Sequence, residues 1–321
     1  MPKPSRWRFW AWPSELKKAG IVGINRRNGS FILPVNRRAF YPRVDEKHIT
    51  KGICHATGIP VPETYALIEN NGDVKRFLEL SGNRPEFVIK PAAGSAGRGI
   101  VVVAEHDGQV FVTSSGERHT LADLRYHISA ILSGLYSLHG QVDLAIIEQR
   151  IVRHDVFANI SVGGTPDIRV VLYRCIPVMA MVRLPTRASR GKANLHQGAA
   201  GVGVDLRSGR TFGGVCMDRA IARHPDTDYA IAGVEVPFWK DLLRAAMKLA
   251  DGLDLGYIGV DFVVDANLGP VVLEANARPG LNIQVANRRG LAPRLEYLDS
   301  LPPERLRPDC REEQIERVAG L

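Results

Sequence analysis

Two carboxylates and an amide stand at a spacing suited to a hard cation in GYIGVDFVVDANLGPVVLEANARPG, residues 256–280. Residues 258–265 and 270–275 are rich in β-branched side chains, and Ala-Asn-Leu-Gly between them reads as a turn, so the stretch predicts a β-hairpin. A turn centred between Asn267 and Leu268 places Asp261 across from Glu274. Asn276, two residues on, points to the same face as Glu274. Juxtaposed carboxylates repel unless a cation lies between them, and oxygen donors suit Mg²⁺. The plainer reading is a hairpin with a solvated polar face, because Asp261 between Val260 and Phe262 fits simple alternation.

A second stretch, FVIKPAAGSAGRGIVVV at residues 87–103, sets Lys90 at the end of a predicted strand. A loop carrying Gly94, Ser95, Gly97 and Gly99 follows, and then another strand. Small residues let backbone N–H groups approach phosphate oxygens, and Lys90 adds a point charge. A Walker A loop or a dinucleotide fingerprint would run into a helix; neither pattern is present. Alone, the stretch also reads as an ordinary glycine-rich hairpin loop.

The 321 residues leave room for about two domains. With 45% hydrophobic and 24% charged residues the composition is that of a globular protein. No apolar run reaches the roughly 20 residues of a membrane span, and the start lacks a signal-peptide core, so a cytoplasmic location is expected. Cys54, Cys175, Cys216 and Cys310 show no metal or redox spacing and are expected to be reduced. A net charge of +8 favours an anionic partner. Basic and aromatic residues interleave only in the arm of Lys3, Arg6, Trp7, Arg8, Phe9, Trp10 and Trp12, which is expected to pack on its own domain. No nucleic-acid recognition motif accompanies the charge, so a nucleic-acid partner is not expected.

These residues need elements to hold them. Residues 20–45 read as basic turns. A helix is expected from an N-cap at Asp45 to a stop at Gly58, carrying Lys47. Further elements are a strand over 64–68, a helix over 73–80, strands over 86–90 and 99–105, and a helix opened by a Thr120–Asp123 capping box. Strands over 144–147, 168–174 and 178–184 and a helix over 238–249 precede the hairpin. The tail after Leu291 reads as short, peripheral and partly helical. Without regular βαβ alternation the class is α+β with mainly antiparallel sheets.

A lysine-bearing helix, a lysine with a glycine-rich strand-loop-strand, and a D…E-x-N hairpin, in this order, resemble the ATP-grasp superfamily. Within it they resemble the RimK-type alpha-L-glutamate ligases, over roughly residues 45–281. The segment SRGKANLHQGAAG, 189–201, is similar to that subfamily's acceptor-side loop. The resemblance implies two α/β subdomains sandwiching ATP: residues 45–145 and 146–290, with 1–44 as the remnant of a truncated N-terminal domain and 291–321 as a tail. It implies ATP-phosphate contacts from Lys47 and Lys90 under a cover including Gly94, Ser95 and Gly97. It implies an adenine-reading hinge at Glu148, Gln149, Arg150 and Ile151, and Mg²⁺ or Mn²⁺ on Asp261, Glu274 and Asn276. Arg183, Lys192 and Asn194 would steady the transferred phosphoryl group. The implied reaction phosphorylates a carboxylate with ATP, giving an acyl phosphate and ADP, and an amine then displaces phosphate to form an amide.

The insertion VRHDVFANISVGGTP leaves the ribose acid as Asp155 or Asp167, with Asp-Ile-Arg favouring Asp167. Arg278 replaces a commoner small residue and could pair a carboxylate or phosphate, or form a structural salt bridge. The partners implied are ATP, a carboxylate substrate and an amine substrate (amino acid or peptide), with a homo-oligomer or protein partner able to complete the acceptor site. Competing readings are a phosphotransferase on the same fold and a nucleotide-binding regulatory or scaffold subunit.

Overall fold

Runs of β-branched and aromatic residues form thirteen strands among the described residues, and every pair of neighbours in the two sheets is antiparallel. The structure, a computed structural model, describes residues 11–94, 97–137 and 140–321. Ser95 and the aromatic arm up to Trp10 lie outside the described residues.

The first sheet comprises β1 (Thr64–Ile68), β2 (Phe87–Pro91), β3 (Val101–His106), β4 (Val110–Thr113), β5 (Arg118–Thr120) and β6 (Ala145–Glu148), in the order β1-β6-β2-β3-β4-β5. Helix Leu121–Leu132 covers it, turning Leu124, Ile128 and Ile131 onto Phe87, Phe111 and Ile147. Its predicted capping box is present: Thr120 Oγ1 accepts from the Asp123 amide at 3.2 Å, and Asp123 accepts from the Thr120 amide at 2.8 Å.

The second sheet comprises β7 (Asp167–Tyr173), β8 (Ile176–Leu184), β9 (Ala200–Val204), β10 (Thr211–Cys216), β11 (Arg219–Ile221), β12 (Tyr257–Asp265) and β13 (Gly269–Asn276), in the order β11-β10-β9-β8-β7-β12-β13. β12 is buried along its whole length, which its near-continuous apolar sequence requires. Helix Trp239–Leu253 lays Leu242, Leu243, Ala246, Met247, Leu249, Ala250 and Leu253 on this core, the spacing of a helix with one apolar face. The last 30 residues bury Leu295, Leu298, Ile315 and Val318 in the same core, on helices Ala292–Asp299 and Arg311–Gly320.

Four local expectations need correction. The tail after Leu291, expected to be peripheral, instead packs Leu295, Leu298, Ile315 and Val318 into the core of the second sheet, because its helices carry an apolar face. Residues 20–45 contain helical turns, including a π-helical turn at Arg27–Ile32, because Phe31 and Ile32 bury in the core of the second sheet. The helix expected to start at Asp45 is two: Pro42 opens a turn ending at Asp45, and Glu46 precedes the helix Lys47–Ala56. The helix expected over 73–80 is likewise split into Asn71–Lys75 and Phe77–Leu80, and Asn70 caps the first by accepting from the amides of Gly72 and Asp73. Gly58, at φ +67°, ends its helix as expected.

Candidate active site

Asp261 sits mid-strand on β12 with 1% of its surface exposed, directly opposite Glu274. The pairing depends on two compensating features. The connection from Asp265 to Gly269 is a three-residue turn centred on Asn267, where Asp265 Oδ1 accepts from the amides of Asn267 and Leu268 at 2.8 and 2.9 Å. That turn alone would set Asp261 against Leu273. A bulge beyond Phe262–Val272 shifts the register by one and restores Glu274.

Asp261 is held by two arginines. Arg169, its partner across the β7–β12 ladder, donates Nε to Oδ1 at 2.6 Å and Nη2 to Oδ2 at 2.5 Å. Arg183 donates Nη2 to Asp261 Oδ2 at 2.7 Å and grips Asp167, opposite it on β7, with both Nε and Nη2. The four groups form a neutral buried network in which each ion has an opposite neighbour. Burial works against the Asp261 anion, but Arg169 and Arg183 hold its carboxyl well below the usual range. Burial pushes the Asp167 carboxyl up to about 7 against the pull of Arg183. Burial also opposes the Arg183 cation, yet Asp167 and Asp261 keep it firmly protonated.

A lysine cluster faces this hairpin. Lys47 Nζ donates to the carbonyls of Pro91 at 3.2 Å and Gly94 at 3.0 Å, at the base of the glycine-rich loop. Lys90 and Lys51 share Glu148, with Nζ to Oε1 and Nζ to Oε2 each at 2.5 Å. Burial disfavours ionised Glu148, but Lys90 and Lys51 outweigh it and the carboxyl stays low. Lys47 is pushed down, by burial first and by neighbouring Lys90 second, while Glu274 pulls the other way. Lys47, Lys51, Thr50 and Glu274 line one narrow cleft, so the lysine helix and the carboxylate hairpin share a wall.

The glycine-rich loop is fixed at its root. Asp143 accepts from the Ala93 amide, and a Cβ on Gly94 would lie 2.2 Å from Pro91 Cγ. Gly97 has φ +68° and faces the Lys192 methylenes, which brings the loop of residues 189–201 against the phosphate-loop candidate. Gly191 and Gly163–Gly164 interlock backbone to backbone, tying the inserted segment to the same loop.

The remaining predicted residues are more dispersed. Gln149 pairs with Glu63 through its amide at 2.8 Å, Arg150 forms an ion pair with Glu86 at 2.6 Å, and Ile151 is half-buried just past β6. Asp155 is exposed at the start of a 3-10 turn, whereas Asp167 belongs to the buried network. The Asn194 side chain accepts from the His196 amide at 3.0 Å and caps a short turn. Asn276 donates Nδ2 to Glu274 Oε1 at 3.3 Å. Arg278 is exposed with its guanidinium 5.3 Å from the centre of the Tyr41 ring, not in a salt bridge with any described residue. The sequence reading missed Lys51, Arg169 and Asp143. Lys51 follows Lys47 by one helical turn and Arg169 follows Asp167 by one strand repeat, signals that spacing carries; Asp143 has none.

The donor set fits a hard cation. Asp261, Glu274 and Asn276 offer oxygen alone, and the Asp261 and Glu274 carboxyls are close enough to hydrogen-bond, a juxtaposition that a cation or a shared proton must relieve. Among the described residues no group of three His, Cys, Asp or Glu side chains is placed to hold a metal ion. Asp261 already accepts three hydrogen bonds, leaving one lone pair on Oδ1. Among the described residues no helix is long and apolar enough to cross a membrane.

Two antiparallel sheets, with lysines and a glycine-rich loop on one and a carboxylate hairpin on the other, define an ATP-grasp protein. Residues 26–300 match the sugar-transfer associated ATP-grasp family, and the chain belongs to it. It is 25% identical over 244 residues to probable alpha-L-glutamate ligases of Legionella pneumophila, strains Corby and Lens among them, covering 75% of this chain. The alignment takes in 59% of those proteins, so the chain spans about three fifths of the length of the curated relatives it matches. Among solved structures it is similar to the D-alanine–D-alanine ligase of Bacillus anthracis complexed with ATP, at 15% identity and TM-score 0.46, over 89% of this chain and 70% of that one. It is also similar to a RiPP-associated ATP-grasp ligase of Chryseobacterium gregarium in complex with ADP and a leader and core peptide, at 15% identity and TM-score 0.46, over 84% and 63%.

Proposed function

We propose that the protein is an ATP- and Mg²⁺-dependent carboxylate–amine ligase that forms an amide through an acyl phosphate. The observation that carries this reading is the position of Lys47. Its ammonium binds the carbonyls at the root of the glycine-rich loop and shares a cleft with Glu274, so phosphate-binding and metal-binding groups converge on one place.

In this reading Lys47 and Lys90 bind the ATP phosphates, with the loop from Gly94 through Ser95 to Gly97 as their cover. Glu148 spends one lone pair of each oxygen on Lys90 and Lys51 and orients both. The backbone of Gln149, Arg150 and Ile151 then offers the adenine edge its donors and acceptors. Asp167 orients Arg183 and turns its remaining lone pairs to the ribose. Asp261, Glu274 and Asn276 would hold Mg²⁺, or Mn²⁺ in its place. The cation would neutralise phosphate oxygens and order them for transfer. Arg183 and Lys192 stabilise charge that develops on the transferred group, and Asn194 shapes the acceptor loop. The glutamate-ligase relatives favour an amino acid as one substrate; the family's association with sugar transfer adds amino sugars to the candidate amines.

ADP release from Mg²⁺-ATP, with pooled amino acids and candidate acids, tests the proposal in wild type and Glu274→Gln. Pool-stimulated release with free phosphate, abolished by the substitution, supports it. Nucleotide binding without stimulated turnover contradicts it and favours the regulatory-subunit reading.

A further inference from the structure

Two arginines beside the carboxylate hairpin carry positive charge that no described acid neutralises by ion pairing. Arg27 is only 8% exposed, and its partners are the Pro279 carbonyl, reached by Nη1 at 2.7 Å, and Asn28 Oδ1, reached by Nε and Nη2 at 3.1 and 2.9 Å. A buried guanidinium normally keeps a carboxylate, because desolvating an uncompensated charge is costly. Burial lowers the Arg27 pKa, Tyr257 opposes that shift, and nearby Arg278 lowers it further, so the two cations lie close enough to repel.

Arg278 is exposed and lies over the Tyr41 ring, which steers the planar group without neutralising it. Asp45 is near enough to feel Arg278, but burial raises its pKa, and among the described ion pairs none joins it to Arg278. Arg27 holds the Pro279 carbonyl, on the residue after Arg278, and so fixes the backbone from which Arg278 projects. Two residues of chain, at most about 7 Å, separate Arg278 from Asn276. Arg278 therefore projects from backbone next to the candidate metal ligand Asn276, with Arg27 buried behind it.

We propose that Arg278, backed by Arg27, binds a second oxyanion on the substrate, a carboxylate or phosphate distinct from the reacting carboxyl group. The substrate is then at least a dianion. A planar fork suits either group, since both present two oxygens at matching separation. The term substrate rests on the ligase reading above; the anion site itself does not.

Calorimetric binding with Mg²⁺ and ADP present tests this without turnover. The probes are glutarate, its monoanionic counterpart pentanoate, and 4-phosphonobutyrate. A charged hydrogen-bonded contact contributes about 1.5–3 kcal/mol, so wild type is expected to prefer glutarate to pentanoate by roughly tenfold or more. Arg278→Ala is expected to erase the preference and Arg278→Lys to retain part of it. The tighter of glutarate and phosphonobutyrate identifies the anion as carboxylate or phosphate. Equal or absent binding of glutarate and pentanoate by wild type, or a preference that survives Arg278→Ala, overturns the proposal. So does a substitution that abolishes ADP binding instead, which would place Arg278 on the nucleotide. Should the pooled acids stimulate no ADP release while glutarate preference persists, the ligase reading falls and the anion site stands.

Discussion

Arg169 faces Asp261 across the β7–β12 ladder and grips both of its carboxylate oxygens, at 2.6 and 2.5 Å. The metal-ligand candidate with the least exposure is thus positioned by a guanidinium on the neighbouring strand. Removing one partner of a buried ion pair costs about 3–5 kcal/mol, because the other charge is left uncompensated. Arg169→Ala is expected to lose that much in urea unfolding and to weaken Mg²⁺ binding. Arg169→Lys keeps the charge but cannot make two parallel bonds, and is expected to recover only part of either loss. Unchanged Mg²⁺ affinity in a folded Arg169→Lys protein would remove the positioning role.

Glu148, Lys51 and Lys90 set a pH dependence at the acid side. The carboxyl titrates lower in the folded chain than its ordinary value of 4.5, so folding favours the ionised form. Its contribution is complete above 4.5 and is lost as pH falls through the folded value. Wild-type stability is therefore expected to drop below that point with a component absent from Glu148→Gln. At neutral pH the same substitution removes the one carboxylate shared by two buried ammonium groups and is expected to cost about 3–5 kcal/mol. Parallel stability curves for the two proteins between pH 5 and pH 3 would contradict the assignment.

Gly191 links the inserted segment to the loop of residues 189–201. It has φ +74°, and a Cβ there would lie 2.3 Å from the Gly163 carbonyl oxygen. Gly191→Ala forces backbone apart next to Lys192, which rests on Gly97. Strain and overpacking together are expected to cost about 2–4 kcal/mol, with kcat falling more than nucleotide affinity. Gly58→Ala is the control: φ is +67° with nothing within 4 Å, so only about 1–2 kcal/mol of strain is expected and turnover is retained. Equal kinetic effects from both would show that the interlock does not shape the site.

Much of the site was legible because its signals are local. The lysine helix, the glycine-rich strand-loop-strand and the Asp261–Glu274–Asn276 hairpin each occupy one continuous stretch, and the pairing of Asp261 with Glu274 emerged correctly. Its reason did not: the turn centre lies half a residue before the expected one, which alone shifts the pairing by one residue, and a bulge, invisible to alternation, restores the register. Arg169 stands in the legible Asp-Ile-Arg run, but its role is not legible there, because its partner lies 92 residues away across a ladder whose register no single strand encodes. Lys51 was hidden by the same kind of distance, since its partner Glu148 ends a strand 97 residues away. Burial of Phe31 and Ile32 in a tertiary core overrode the turn-rich appearance of residues 20–45.

The central claim is transfer through an acyl phosphate, and oxygen tracing tests it most directly. With the acid substrate labelled by ¹⁸O in its carboxyl group, turnover with Mg²⁺-ATP and the amine is expected to place one ¹⁸O in the released phosphate. Unlabelled phosphate released together with amide product would contradict the account.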